Sequence, residues 1–165
     1  MVKVSLTQSL LHDIAQQLMQ KKLTIAVAES CTGGLLSHAL TNIAGSSSYF
    51  ERGLITYSNK AKQELLQVRK KTLETHGAVS AQTAKEMAVG VKNHALVDIG
   101  VATTGIAGPT GGTKNKPVGL VYVGVAYLDT VLVKEYHFHG NRLDIKTSTC
   151  NAVFQFIHDI LSTVL

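Results

Sequence analysis

The sequence predicts an α/β protein, a three-layer α/β/α sandwich whose mixed sheet of about five strands ends in an antiparallel hairpin. Three observations carry that prediction. Helical and strand-like patterns alternate through the first hundred residues. Residues 98–104 read as a buried strand. Two further strand-like runs, residues 120–127 and 131–139, are separated only by Leu128-Asp129-Thr130, a connection short enough for a hairpin.

Each element follows from its own pattern. Leu6, Leu10, Leu11, Ile14 and Leu18 recur at helical spacing and predict an amphipathic helix over residues 6–19, followed by a strand over 24–28. Leu35, Leu36, Ala39, Leu40 and Ile43 form the buried face of a second helix over 33–43, which Gly45 closes. A strand over 50–57 comes next. Asn59 then reads as the N-cap of a helix over 60–67 that carries Lys62 in its first turn. Ser80-Ala81-Gln82-Thr83 opens a longer helix to about Ala95, with Ala84, Met87, Ala88 and Val91 inward. After the strand over 98–104 and a glycine-rich loop over 105–117 comes the hairpin. A last helix over 143–161 buries Val153, Phe154, Ile157 and Ile160.

At 165 residues the chain fits a single domain, 1–165, without internal linker or repeat. The net charge of +5 favours an anionic partner, but only Arg69-Lys70-Lys71 form a basic run. With 5% aromatics and no Trp there is no stacking platform for a nucleic acid, so the charge suits a small anionic ligand. No apolar stretch is long enough to span a bilayer, so no membrane partner is expected. Cys31 and Cys150 lack the spacing of a zinc site or disulfide framework and read as reduced thiols of a cytoplasmic protein. Apolar strand and helix faces predict a homo-oligomer, a dimer or trimer.

Three constellations carry candidate chemistry. Ala28-Glu29-Ser30-Cys31-Thr32-Gly33-Gly34 turns a strand into a helix with Ser30 at the bend, where a nucleophile can sit. The first-turn N–H groups around Thr32, Gly33 and Gly34 are candidate oxyanion donors. The plain alternative is that Ser30 or Thr32 only caps the helix. In Tyr57-Ser58-Asn59-Lys60-Ala61-Lys62, burial near a helix N-terminus would lower the pKa of Lys62 enough for a general base, the alternative being a solvated lysine. The third stretch runs from Thr103 to Gly112, where Gly105, Ile106, Ala107 and Gly108 offer backbone to an anion and Lys114 and Lys116 lie at the far end. His137 and His139 share a strand face without a third metal ligand at suitable spacing, and Arg142 reads either as a fork for a phosphate or carboxylate or, by position alone, as a surface residue.

Taken with Ile43-Ala44-Gly45-Ser46-Ser47, Phe50-Glu51-Arg52-Gly53, His76-Gly77-Ala78-Val79-Ser80 and Lys116-Pro117-Val118-Gly119, these stretches resemble the CinA C-terminal domain family over nearly the whole chain. Stand-alone members of that family are nicotinamide mononucleotide deamidases. The resemblance implies hydrolysis of the carboxamide of nicotinamide mononucleotide by a serine–lysine pair at Ser30 and Lys62, with no metal and no cofactor, in pyridine nucleotide salvage. It further implies that Tyr57 packs on the pyridine ring or ribose and that the phosphate lies on the Gly105–Gly112 backbone or on Arg142. Larger family proteins also carry an N-terminal domain resembling molybdopterin-binding proteins. The chain departs from the pattern at Lys146, where similar proteins often carry an arginine. The alternative function is a non-catalytic nucleotide-binding or protein-interaction module linked to competence and DNA-damage responses.

Overall fold

The computed structural model describes residues 5–163, so the predicted domain span 1–165 reaches beyond it at both ends. Five strands form one mixed sheet in the order β2-β1-β3-β4-β5: β1 (Ile25–Glu29), β2 (Phe50–Ile55), β3 (Ile99–Gly105), β4 (Leu120–Tyr127) and β5 (Thr130–His137). β1 runs parallel to both β2 and β3, while β3–β4 and β4–β5 are antiparallel. The sheet and the closing hairpin are those that the sequence predicts.

Alternation along the inner strands explains the three layers. Ile25, Val27, Ile99, Val101, Val121, Val123 and Val125 face one core, packed by α1 (Gln8–Lys21), α2 (Leu35–Thr41) and the last helix, Arg142–Thr163. The intervening Ala26, Ala28, Ala102 and Ala126 face the other core, where Met87, Ala88 and Val91 of the helix Ala81–Ala95 pack against them. Side chains this small let that helix come unusually close to the sheet. A Cβ built on Gly100 would lie 2.2 Å from the Ala88 carbonyl oxygen, and one on Gly124 would lie 2.5 Å from that of Ala84. Because both obstacles are backbone atoms, Gly124→Ala should lower the unfolding free energy by about 1–3 kcal/mol, measured by urea denaturation.

Several boundaries differ from the sequence reading, each for a local reason. The helix expected from residue 60, α3 (Asn59–Leu66), is capped by Ser58 and not by Asn59, since the Ser58 hydroxyl accepts from the Ala61 N–H at 3.0 Å. A short helix, α4 (Lys70–His76), follows it and buries only Thr72 and Leu73, too few apolar positions to reveal a helical period. The longer helix is then α5 (Ala81–Ala95), capped by Ser80 as expected, and the last is α6 (Arg142–Thr163). Thr130 joins β5, which leaves a two-residue turn, Leu128-Asp129. At the other end β5 stops at His137, short of the expected residue 139. No helix among the described residues is long and apolar enough to cross a membrane.

Candidate active site

Ser30 lies immediately past the carboxyl end of β1, between the ends of its two parallel neighbours. Its N–H donates to the Thr103 carbonyl at 3.0 Å, and the Thr56 N–H donates to the Glu29 carbonyl at 2.8 Å, so the sheet pairing continues to the bend. In an α/β sheet, crevices at the carboxyl ends of parallel strands are the usual ligand sites.

Glu29 fixes the turn. Fully buried, it accepts from the N–H groups of Gly34 (3.0 Å), Leu36 (3.0 Å) and Ser37 (2.8 Å) and from the Ser37 hydroxyl (2.6 Å). Gly33 and Gly34, with φ of +59° and +98°, turn the chain back so that the start of α2 meets this carboxylate. This corrects two sequence expectations. Neither Ser30 nor Thr32 caps α2, because Glu29 does so and the Thr32 hydroxyl pairs with that of Thr103 at 2.8 Å. The Gly34 N–H, spent on Glu29, is withdrawn from the oxyanion donors. Among the described residues the N–H groups of Cys31, Thr32 and Gly33 have no protein acceptor, and of these residues only Cys31 borders the cavity described below. Removing the carboxylate leaves four donors without it, the buried Leu36 N–H and three that are part-buried, so Glu29→Ala should cost about 3 kcal/mol in urea unfolding.

Lys62, in the first turns of α3, is buried with 1% of its surface exposed. Its Nζ lies 2.9 Å from Ser30 Oγ, 2.8 Å from the Thr56 carbonyl oxygen and 3.4 Å from that of Tyr57. Burial lowers its pKa from the usual 10.5 to about 8. Nζ donates to all three. Once one proton is lost, the two N–H bonds that remain can stay on the two carbonyls while the lone pair faces the Ser30 hydroxyl. Burial drives the neighbouring Cys31 thiol the other way, to about 12, so it stays protonated at neutral pH and is no rival nucleophile.

Ser30 and Lys62 open into a cavity of about 220 Å³ that Tyr57, Ala78, Thr104 and Arg142 also border. Of the predicted loop residues, Gly105 and Ala107 line this cavity. Ile106 does not line it, a correction, because its N–H donates to the Leu120 carbonyl (2.9 Å) and its carbonyl accepts from Gly119 (2.7 Å), knitting the loop to β4. Gly108 takes part through its carbonyl, which accepts from Arg142 Nη1 at 2.7 Å, while Arg142 Nη2 donates to the Tyr57 hydroxyl at 2.9 Å. Arg142 therefore straps the segment after β2 to the glycine-rich loop across the mouth, using one N–H of each Nη.

Beyond Arg142 and Ala107 a second hollow of about 500 Å³ opens toward the start of α6. A hollow of similar size between α3 and α5 contains neither Ser30 nor Lys62. Lys116 is committed to the His76 carbonyl at 2.6 Å, and Lys114 is exposed. His137 pairs with Glu135 at 2.8 Å, and the described residues contain no cluster of three or more His, Cys, Asp or Glu able to hold a metal ion. The sequence reading gave no site role to Ala78 and Thr104. Thr104 Oγ1 donates to the Ala78 carbonyl at 2.7 Å, a contact across 26 residues that no local spacing signals, although the stretch from His76 to Ser80 was part of the family resemblance.

A serine–lysine pair at the carboxyl end of parallel strands, roofed by a glycine-rich loop, describes a class of site; the comparisons give its family. The CinA C-terminal domain profile matches residues 7–161, and the chain belongs to that family. A putative competence-damage inducible protein of Thermoanaerobacter sp. (strain X514) is 54% identical over 140 residues, covering 84% of this chain and 34% of the relative. A CinA-like protein of Syntrophus aciditrophicus is 50% identical over 150 residues, 90% of this chain and 36% of the relative. The chain thus spans about a third of the length of these curated relatives. The crystal structure of competence/damage inducible protein CihA from Agrobacterium tumefaciens superposes with a TM-score of 0.92 at 38% identity, covering 98% of this chain and all of that one. The competence damage-inducible protein A from Klebsiella pneumoniae gives 0.93 at 31% identity, over 96% and 99% of the two chains.

Proposed function

We propose that this chain is an amidohydrolase that converts nicotinamide mononucleotide to nicotinate mononucleotide and ammonia with Ser30 as nucleophile and Lys62 as general base. The observation that carries the reading is a buried amine 2.9 Å from a serine hydroxyl, with two carbonyls to occupy its N–H bonds. The resemblance to stand-alone members of the family supplies the substrate.

Neutral Lys62 takes the Ser30 proton as Oγ attacks the carboxamide carbon. The tetrahedral intermediate collapses, its C–N bond breaks, and the proton on Lys62 goes to the leaving nitrogen as ammonia departs. Lys62, neutral again, removes a proton from water, which attacks the ester. The carboxylate product leaves as the proton returns to Ser30. The Cys31 N–H is the donor nearest to hand for the oxyanion, and Tyr57 closes over the ring or ribose. No metal or cofactor is required by these steps.

The relatives' names speak only of competence and damage induction, with which a second reading, a non-catalytic nucleotide-binding or protein-interaction module, is compatible. Ammonia release from nicotinamide mononucleotide by the purified chain decides between them. Turnover supports the enzyme, and tight binding of the nucleotide without turnover supports the module.

A further inference from the structure

The two hollows that share Ala107 and Arg142 form one trough, with the Ser30–Lys62 pair at its inner end and Lys146 at its outer end. The outer part has Ala107, Pro109, Val118 and Leu143 as apolar walls. Two cations line it, and they are not equivalent. Arg142 gives one N–H of Nη1 to the Gly108 carbonyl and one of Nη2 to the Tyr57 hydroxyl, contacts that fix its guanidinium in place. Lys146 is half-buried and, among the described residues, has no carboxylate within ion-pair distance and no hydrogen-bond acceptor. Its ammonium lies over the nucleophile turn, 3.5 Å from where a Cβ on Gly33 would be. Gly33 is also one of the three residues whose N–H has no protein acceptor.

From this we infer that Lys146 is a specificity-determining residue that binds the phosphate of the substrate, while Arg142 holds the walls of the trough together. The sequence predicts the phosphate on Arg142 or the loop backbone; of the two cations, Arg142 is tied to Gly108 and Tyr57 while Lys146 has its whole ammonium to offer. A lysine suits the position because it presents a point charge on a flexible stem and asks for no bidentate geometry. The consequence is selectivity for an amide that carries an anionic group at one end, the mononucleotide, over its uncharged riboside.

The inference rests on the proposed amidase reading, and its test separates the two. Ammonia release from nicotinamide mononucleotide and from nicotinamide riboside is measured for the full chain and for Lys146→Met and Lys146→Arg, with thermal unfolding to verify folding. Lys146→Met should raise KM for the mononucleotide ten- to hundred-fold, the range expected for losing one charge-assisted hydrogen bond, and leave kcat/KM for the riboside within two-fold. Lys146→Arg should recover most of the loss. Equal losses on the two substrates, or none on the mononucleotide, overturn the assignment. If the wild type hydrolyses neither compound, the amidase reading fails by itself. Calorimetric binding of the mononucleotide and riboside to wild type and Lys146→Met then decides the subsite, and it is overturned if the mononucleotide binds wild type no more tightly than the riboside does or if the substitution does not weaken it.

Discussion

Ser30→Ala and Lys62→Met should each lower the rate of ammonia release from nicotinamide mononucleotide by about a thousand-fold or more, while Lys60→Met leaves it within two-fold. Alanine at position 30 removes the atom that attacks. Methionine at 62 keeps an apolar stem of similar length and removes the base. The two losses should not add, because a nucleophile without its base and a base without its nucleophile fail at the same step, so the double variant should be no slower than the worse single one. Lys60, whose Nζ is 3.7 Å from a Glu64 carboxylate on the solvent side of α3, is the internal control for a nearby ammonium that does not reach the cavity. Wild-type turnover in either dyad variant would remove the mechanism while leaving the fold intact.

The pH dependence of rate and stability should share one origin. With a pKa of about 8, roughly a tenth of Lys62 is neutral at pH 7, so kcat/KM should climb with pH and level off above about 8. An unshifted lysine would keep the rate climbing beyond pH 10. For stability, a lysine whose folded pKa is lowered from 10.5 to about 8 binds a proton in the unfolded chain that the native chain releases between those values. Below pH 8 both states carry the proton, and the native state bears the cost of burying it. Stability therefore rises as pH increases from 8 to 10.5, by roughly 3 kcal/mol from this group. Subtracting the profile of Lys62→Met isolates the contribution from that of the thiols, which titrate in this window in the unfolded chain while burial raises Cys31 and Cys150 above their ordinary value in the native one. The difference in unfolding free energy, wild type minus variant, should grow across that window. A flat difference would mean that the amine is not desolvated.

Much of the architecture was legible because the strongest signals were periodic. Leu11, Ile14 and Leu18 predicted the face of α1, and the spacing of residues 120–139 predicted the hairpin. The dyad was legible as two separate candidates, Ser30 at a strand-to-helix bend and Lys62 in a capped first turn. The distance between them was not, because 32 residues and a parallel strand pairing intervene. What the helix-start argument missed was the acid inside the motif. Glu29 uses the donors that an unoccupied N-terminus would offer, and an alternating strand gives no sign that its last side chain folds back onto the next helix. That Arg142 also acts as a strap was not legible, since its partners, Tyr57 and Gly108, lie 85 and 34 residues away. Another signal was present and not used: large and small residues alternate in Ile25-Ala26-Val27-Ala28 and Ile99-Gly100-Val101-Ala102, which marks the sheet face where α5 approaches closely.

The protonation state of Lys62 is the quantity on which the chemistry turns, and NMR of the chain labelled with 13C at lysine Cε reads it directly. One lysine resonance should titrate near pH 8 and be missing from the spectrum of Lys62→Met. A spectrum in which the resonance lost in Lys62→Met titrates near the ordinary lysine value of about 10.4 would contradict the account, since only about one amine in 2,500 beside Ser30 would then be neutral at pH 7 and able to accept the proton from the hydroxyl.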